Sequence, residues 1–405
     1  MMKKTKINRR KFIADMSLKA IGAGFTIGQF GRRSVWAGTK KDVLTPAKRP
    51  DMEYRILGKT GLKVSAVGFG VMRLKEPSVL FKALDLGVNF FDTAHNYQNG
   101  NNEKMLGKVL KEYGRQKAVV VTKIHPFHMQ RTLDEKFKML ETREMDKMMG
   151  ECLTRLQSDY VDVLLVHNIM DTSWPMNEKV LTFLEKIKKE GKARFVGVSI
   201  HDPRYLVEVS DIIAKSNFYD VYLPWLNFKS PPEHLEAIKR TAKAGVGVYA
   251  MKTQAGGYGE GAGTGLTPHQ AALRWVLQHD FISSTIPGMV NMEQLEENVA
   301  SFGKKVGWND RKKLHNYYQV VKNRYCVMCN GCSIPCDNPV DIHTINRAMM
   351  YYEGYGDFAL AQSTYRQLTD VQNGLACLTC TAPTCRCING IKLSQRATQA
   401  HVLFG

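Results

Sequence analysis

The sequence predicts an α/β protein: a (β/α)8 TIM barrel over residues 53–303, followed by a mainly helical, cysteine-rich domain over residues 304–405. Two observations support this division. Short apolar, β-rich runs alternate eight times with amphipathic stretches within about 250 residues, which matches a barrel of this kind in number and length. Of the nine cysteines, eight lie beyond residue 325, so the chemistry of the chain is segregated along its length.

The predicted strands are mostly continuous apolar runs, as expected of parallel strands that are covered on both faces. They are Val64–Phe69, Asn89–Thr93, Ala118–Lys123, Val161–His167, Phe195–Ser199, Val221–Leu226, Val246–Met251 and Ser283–Ile286. Predicted helices between them include Ser78–Leu86, Glu141–Leu156, Asn177–Glu190, Glu233–Ala244 and Pro268–His279. Gly87, Gly191 and Gly245 stand where helix ends favour a left-handed residue. A doubly wound open sheet is the rival fold, but no G-x-G-x-x-G opens the first helix.

Composition narrows the class of protein. Apolar residues make up 44% and charged residues 23% of the 405 residues, which is ordinary for a globular chain. No run reaches the roughly 18 apolar residues of a spanning helix, so a polytopic membrane protein is excluded. The net charge is +19. Because no basic and aromatic cluster stands out beyond the first 37 residues, no nucleic-acid partner is predicted.

Residues 1–37 are predicted to be an export signal, and residues 38–52 a linker. A basic stretch containing Arg9, Arg10 and Phe12 is followed by the apolar run Ala20–Phe30 and by a cleavage position after Ala37. The paired arginines resemble the twin-arginine export signal, an address and not an anchor. The alternative is a basic, flexible arm. The signal predicts a periplasmic protein whose mature chain has no transmembrane anchor.

Four polar residues lie at or just after the ends of adjacent predicted strands: Asp92, Tyr97, Lys123 and His167. In a barrel, the carboxyl ends of the strands meet at one mouth, where reactive residues are found. Reduction of a carbonyl by hydride builds charge on oxygen, so an acid must supply a proton there. A nearby lysine is expected to lower the pKa of a tyrosine that serves as this acid, and a neutral histidine can donate to the same oxygen.

These residues belong to motifs that resemble the aldo-keto reductases: Tyr54–Ser65, Asp92–Ala94 with Tyr97, Thr122–Lys123 and Leu164–His167. The resemblance covers residues 53–303. It implies that Tyr97 is the proton donor or acceptor, that Lys123 modulates its pKa, that Asp92 is the partner of Lys123, and that His167 orients the substrate. Taken singly, His167 at a strand end is more often structural, and Asp92 could be a helix cap.

The same resemblance implies NAD(P) as a cofactor, although part of the usual contact set is replaced. The candidate cofactor-binding residues are Ser199, Asn227, Lys252, Gly288, Gln294, Glu297 and Asn298. Gly288 and Gln294 occupy places where the family commonly has cations that contact the 2′-phosphate of NADP, so no strong preference for NADP is expected. Asn227 and Lys252 could alternatively face solvent only.

Eight cysteines form two runs after the barrel. Cys326, Cys329, Cys332 and Cys336 have the spacing of a bacterial [4Fe–4S] ferredoxin run, whereas Cys377, Cys380, Cys385 and Cys387 are spaced less regularly. Similarity to the helical ferredoxin modules of some aldo-keto reductases implies one cluster on Cys326, Cys329, Cys332 and Cys387, and a second on Cys336, Cys377, Cys380 and Cys385. Structural Zn²⁺ and disulfides are the alternatives. The ninth cysteine, Cys152, is expected in the core.

Together these patterns predict an exported oxidoreductase that interconverts an aldehyde or ketone and an alcohol and carries one or two iron–sulfur clusters. Its expected partners are a small carbonyl or alcohol substrate and a redox partner protein. The rival hypothesis is an electron-transfer or binding protein whose barrel is not catalytic. The cysteines sharpen the choice, because nicotinamide moves two electrons as hydride while a cluster passes one at a time.

Overall fold

The computed structural model describes residues 52–126, 141–169, 171–255, 266–301, 303 and 306–405. The predicted signal at 1–37 and all but the last residue of the predicted linker lie outside the described residues, so both stay predictions. Leu44–Gly405 form one compact unit. Within the described ranges, no helix combines the length and apolar character that crossing a bilayer requires.

A two-stranded hairpin precedes the barrel. Strand β1 (Tyr54–Ile56) pairs antiparallel with β2 (Lys63–Ser65), and Tyr54 stands opposite Ser65. The single strand predicted over Val64–Phe69 is therefore wrong in its extent: its first residues belong to the hairpin and only its end enters the barrel. Apolar periodicity alone does not reveal where a run changes its pairing partner, which explains the error.

Eight parallel strands form the barrel, in the order of the sequence. They are β3 (Phe69–Gly70), β4 (Phe90–Asp92), β5 (Val119–Ile124), β6 (Val161–Ile169), β7 (Ala193–Ile200), β8 (Val221–Pro224), β9 (Gly247–Ala250) and β10 (Ser284–Thr285). Bridges from Val67 to Thr285 and from Gly70 to Gly288 close the ring. A Cβ on Gly70 would lie 2.7 Å from the carbonyl oxygen of Ile286, so closure depends on glycine there. The predicted (β/α)8 barrel is confirmed.

Helices surround this ring. They are α1 (Pro77–Asp85), α2 (Asn101–Tyr113), α3 (Thr142–Leu156), α4 (Glu178–Lys189), α5 (Leu206–Ser216), α6 (Pro232–Lys243), α7 (Pro268–Leu277) and α8 (Met292–Val299). The predicted helices agree with these bounds to within one or two residues. Gly87, Gly191 and Gly245 have φ angles of 87°, 72° and 87°, so the left-handed helix ends expected from the sequence are confirmed.

The C-terminal region is mainly helical, as predicted. It contains α9 (Trp308–Val321), α10 (Ile342–Glu353), α11 (Phe358–Tyr365) and α12 (Leu393–Phe404), which share one apolar core. A short antiparallel ribbon joins β11 (Cys332–Ser333) to β12 (Arg386–Cys387). Met72 and Phe228 of the barrel pack against the core of this region. We call residues 306–405 the C-terminal module; the domain boundary predicted at 303/304 falls between α8 and α9.

Candidate active site

The four polar strand-end residues meet at one cavity. Asp92 is the last residue of β4, Lys123 lies near the end of β5, His167 lies in the C-terminal part of β6, and Tyr97 follows β4 in the next loop. All four line a cavity of about 660 Å³ at the carboxyl ends of the barrel strands. Their predicted convergence at one mouth is thus what the structure displays.

Lys123 holds the centre of this group. Its Nζ donates to Asp92 Oδ1 over 2.5 Å, to the carbonyl oxygen of Thr93 over 2.7 Å and to the hydroxyl of Tyr97 over 3.3 Å. Asp92 and Lys123 are both 2% exposed. The ammonium therefore bridges the carboxylate to the phenol, which is the arrangement that the proposed roles require.

Tyr249 completes the pair and was not predicted from the sequence. Its hydroxyl donates to Asp92 Oδ2 over 2.8 Å, so both carboxylate oxygens of Asp92 are occupied. Tyr249 is fully buried on β9, and its ring meets Phe90 edge-on at 4.9 Å. A phenol within an otherwise apolar strand was the available signal, because a buried hydroxyl usually has a polar partner.

Burial sets the ionisation of these groups. It raises the pKa of Asp92 and lowers the pKa of Lys123, while their ion pair opposes both shifts. Burial also raises the pKa of Tyr97 well above 10, and the charges of Asp92 and Tyr351 add to that rise. The lowered tyrosine pKa expected from the sequence is therefore wrong, because the charge of Lys123 is compensated by Asp92. Tyr97 is a protonated phenol at neutral pH.

Three histidines line the cavity beside Tyr97. The ring of His167 stacks on His125 with centroids 4.2 Å apart, meets Tyr97 edge-on at 5.7 Å, and lies 6.2 Å from His201. Burial lowers the pKa of His125 to about 3 and the pKa values of His167 and His201 well below 6.5. His167 is consequently a neutral imidazole, the form that donates a hydrogen bond without competing for the proton.

The C-terminal module covers the mouth of the barrel. Arg347, Met350, Tyr351 and Tyr355 of the module line the same cavity as Tyr97. Further module residues on the cavity are Cys326, Met328, Asp357, Ala359, Leu360, Ser363, Thr364 and Gln367. The catalytic candidates are therefore enclosed between two parts of the chain, which the sequence alone did not reveal.

Polar contacts fasten the module to the barrel. Asn227 Nδ2 donates to the carbonyl oxygen of Val327 over 3.3 Å. Arg73 donates to the carbonyl oxygen of Tyr355 over 2.6 Å, and its guanidinium lies 4.3 Å from the centre of that ring. These bonds engage residues from the loops after β3 and β8, so the module is held at several points around the mouth.

Only part of the predicted cofactor set reaches the cavity. Asn227, Lys252 and Gly288 line it. Ser199 is fully buried; its hydroxyl accepts from the backbone N–H of Asn168 over 2.9 Å and does not line the cavity. The structure thus separates Ser199, predicted beside the cofactor, from the other strand-end groups, because its side chain stabilises the end of β6.

The three candidates after β10 are occupied in local structure. Gln294 Oε1 accepts from the backbone N–H of Val290 over 3.0 Å, and Glu297 accepts from the hydroxyl of Thr267. Asn298 Oδ1 accepts from Gln254 over 2.8 Å and is fully buried. None of the three lines the cavity. They hold α7 and α8 at their ends, a role that a sequence match cannot separate from cofactor contact.

Several residues on the cavity have left-handed backbone angles that non-glycine residues rarely adopt. They are Gln98, Asn99, Asn168, Lys252, Ala255 and Met328, with φ between 49° and 60°. Such conformations each cost on the order of 1–3 kcal/mol and cluster at functional sites, where the surrounding structure enforces them. The mouth of the barrel is accordingly the strained part of this fold.

The cysteines of the module fall into two groups. In the first, Cys332 on β11 stands opposite Cys387 on β12, and the charges of Cys326 and Cys329 both act on Cys332. Burial raises the pKa of Cys326 to about 12, whereas donation from Cys332 and from the backbone N–H groups of residues 389–391 lowers the pKa of Cys387 to about 6. Asn389 donates to Cys329 Sγ over 3.2 Å. Cys326 lines the catalytic cavity as well.

The second group comprises Cys336, Cys377, Cys380 and Cys385. Burial raises the pKa of Cys377, and the charges of the other three add to that rise. All four line a separate cavity of about 260 Å³. None of the nine cysteines forms a disulfide. Among the described residues, no three His, Cys, Asp or Glu side chains are arranged to bind a metal ion. Cys152 is buried in α3, as expected.

Comparison with known proteins addresses the barrel. The model of the aldo/keto reductase family matches residues 68–264 and 259–308. The L-galactose dehydrogenase of Arabidopsis thaliana is 32% identical over 299 residues, which covers 62% of this chain and 88% of that protein. A protein of Schizosaccharomyces pombe named for a voltage-gated potassium channel subunit beta is 29% identical over 307 residues, with the same two coverages.

One solved structure supports the fold in particular. An aldo-keto reductase of Bacillus halodurans in its holo form superposes with a TM-score of 0.53 at 24% identity, over 66% of this chain and 96% of that one. The match to the family model ends at residue 308, so nearly all of the C-terminal module lies beyond it.

Proposed function

We propose, since the chain belongs to the aldo/keto reductase family and is an oxidoreductase, that it interconverts a small aldehyde or ketone and the corresponding alcohol with Tyr97 as the acid or base. The observation that carries this proposal is the contact of Lys123 with both Asp92 and Tyr97 inside the enclosed cavity. A phenol held there can protonate the oxygen of a carbonyl bound beside it.

Each residue has a distinct part in this proposal. Tyr97 stays protonated because it is buried, so it donates to the carbonyl oxygen in the direction of reduction. Lys123 and Asp92 fix the position of the phenol through the ammonium. His167 is neutral and edge-on to Tyr97, so it can donate a second hydrogen bond that orients the carbonyl.

NAD(P) is the proposed cofactor, and three candidate residues on the cavity fit it. Lys252 offers an ammonium suited to a diphosphate, Asn227 offers an amide, and Gly288 leaves space, since its nearest listed neighbours stand 4.0 Å from an ideal Cβ. When bound, NAD(P)H supplies the hydride. Lys252 and Asn227 are also bonded to the module, so their contacts would be shared with it.

Two [4Fe–4S] clusters belong to the proposal, one on Cys326, Cys329, Cys332 and Cys387 and one on Cys336, Cys377, Cys380 and Cys385. The ferredoxin spacing of the first run and the separation of the thiols into two groups of four support this. A cluster of four irons is wider than one ion, so its ligands stand further apart than those of Zn²⁺. The place of Cys326 on the catalytic cavity favours a redox role over a structural one. A separate redox protein would then exchange single electrons with these clusters.

Export to the periplasm by the twin-arginine route is likewise a proposal. It rests on Arg9, Arg10 and the apolar run Ala20–Phe30. This route carries folded, cofactor-loaded proteins, which agrees with a chain that holds clusters.

The rival function is electron transfer or binding by a barrel that does not turn over. Two observations favour it: Ser199, Gln294, Glu297 and Asn298 are occupied in local structure, and one relative is named for a channel subunit. The retained contacts of Tyr97 with Lys123 and His167 favour catalysis instead.

The test that separates the two functions uses the full chain, purified without oxygen. NADH or NADPH fluorescence is followed on titration with the protein, and oxidation of each is then measured with a panel of small aldehydes and ketones. Binding of one nucleotide and turnover of a carbonyl are expected. A protein that binds neither nucleotide and reduces no carbonyl would support the rival function.

A further inference from the structure

We propose that Arg347 of the C-terminal module binds an anionic group of the substrate, so that the enzyme selects carbonyl compounds which also bear a carboxylate or a phosphate. This inference rests on the proposed function of the same cavity and adds the substrate class to it. The shared chemistry is an oxyanion, for which the planar guanidinium offers paired donors.

The position of Arg347 is the first argument. Arg347 lies on α10, which crosses the mouth of the barrel, and it lines the cavity together with Tyr97 and His167. Its charge lowers the pKa values of His125, His167 and His201. The guanidinium therefore faces the histidine side of the cavity, where the proposed carbonyl is oriented.

The second argument is that nothing within the described residues neutralises Arg347. It makes no ion pair and no side-chain hydrogen bond there, although a guanidinium carries five N–H donors. The two carboxylates that line the cavity are already engaged. Asp92 is bonded to Lys123 and Tyr249, and Asp357 caps α11 by accepting from the backbone N–H of Leu360 over 3.0 Å.

The charge of the whole cavity points the same way. Its lining has five cations, Arg73, Lys75, Lys123, Lys252 and Arg347, against two carboxylates, Asp92 and Asp357, which leaves a net charge of +3. The three histidines add no charge, since burial keeps them neutral. An enclosed cavity of one sign attracts a ligand of the opposite sign, and its low dielectric strengthens the attraction.

Arg347 and Lys252 divide the two ends of the cavity. Lys252 lies after β9 among the residues assigned to the cofactor, whereas Arg347 acts on all three histidines. Arg347 is therefore assigned to the substrate and not to the cofactor diphosphate. This assignment can be tested separately from turnover.

The experiment compares pairs of substrates that differ in charge. Succinic semialdehyde is paired with butanal, and glyceraldehyde 3-phosphate with glyceraldehyde, so the two pairs distinguish carboxylate from phosphate as the anion. The proteins are the wild type, Arg347→Gln, and Arg366→Gln as a matched control, because Arg366 is an exposed arginine of the same module outside the cavity. Binding of succinate, dimethyl succinate and inorganic phosphate is measured in parallel by calorimetry.

We expect the wild type to prefer the charged member of at least one pair, and Arg347→Gln to lose roughly 10- to 100-fold in kcat/KM for it, as for a lost hydrogen bond to a charged group. The neutral member should lose far less, and Arg366→Gln should behave like the wild type. Equal kcat/KM values within both pairs in the wild type would overturn the inference alone. So would an Arg347→Gln protein that binds NADH more weakly but succinate and phosphate as before. Binding of succinate or phosphate that depends on Arg347 without any carbonyl turnover would retain the anion site and reject the proposed function.

Discussion

Lys252, just after strand β9, donates through Nζ to the hydroxyl of Tyr351 on α10 over 2.8 Å, and its ammonium lies 4.4 Å from the centre of that ring. The barrel and the C-terminal module are thus joined at the rim of the catalytic cavity. Lys252 adopts a left-handed backbone at φ 57° to make this contact. Because strain of that kind persists only where neighbours enforce it, we infer that the module is part of the working site.

A double-mutant cycle tests this link. Lys252→Met and Tyr351→Phe should each lower the free energy of unfolding by about 1 kcal/mol, since each removes one partner of a hydrogen bond. Together they should cost less than the sum of the two, and urea denaturation measures the difference. Tyr352→Phe, on the next residue of the same helix, is the control. Strictly additive losses would show that the contact contributes nothing to stability.

Acid should destabilise the protein through His125. Burial lowers the pKa of His125 to about 3, whereas the unfolded chain takes up this proton near pH 6.5. The stabilising contribution of the neutral imidazole is therefore complete above pH 6.5 and is lost as the pH falls toward 3. Between pH 7 and pH 5 the loss should be about 2 kcal/mol from this one group.

His125→Gln isolates this contribution, because glutamine does not titrate. The difference in free energy of unfolding between pH 7 and pH 5 should shrink by about 2 kcal/mol in the variant. His315→Gln, which replaces an exposed histidine of α9, should leave the difference as in the wild type. An unchanged pH dependence in His125→Gln would mean that this imidazole is accessible to protons in the folded state.

The two cysteine groups should behave as independent cluster sites. Protein purified without oxygen should absorb near about 400 nm and contain about eight iron atoms per chain. Cys326→Ser should remove about half of the iron by disrupting the first group, and Cys377→Ser the other half by disrupting the second. Iron and zinc analysis together with the visible spectrum measures both effects.

Cys152→Ser supplies the matched control, since Cys152 is buried in the barrel and belongs to neither group. Its iron content should equal that of the wild type. Stoichiometric zinc with no visible absorbance would instead identify the cysteines as structural metal ligands and remove the electron-transfer part of the proposal.

The barrel was predictable because local patterns determine most of it. The run Val161–His167 is apolar enough to predict a buried parallel strand, and the observed strand β6 contains it entirely. Glycines such as Gly191 mark helix ends by a backbone requirement that any sequence must meet. The convergence of Asp92 and Lys123 followed from the fold, since strand ends of a barrel share one mouth.

The enclosure of that mouth was not predictable. Arg347 and Tyr351 reach the cavity only because α10 docks on the barrel, and docking depends on contacts between distant residues that leave no local pattern. The pKa of Tyr97 was misjudged for a related reason: its direction is set by burial, which exceeds the effect expected from the neighbouring Lys123. Likewise, the hydroxyl of Ser199 was expected at a cofactor and instead bonds to Asn168.

Substitution of Tyr97 by phenylalanine tests the central claim most directly, because it removes only the hydroxyl that Lys123 contacts. The measurement is kcat for NADH- or NADPH-dependent reduction of succinic semialdehyde and butanal, with cluster absorbance and nucleotide fluorescence recorded on the same protein. Tyr97→Phe should lose about 100-fold or more in kcat while both optical signals stay intact, and Tyr113→Phe, at a half-exposed phenol on α2, should lose nothing. A Tyr97→Phe protein that reduces these aldehydes as fast as the wild type would contradict the assignment of Tyr97 as the proton donor.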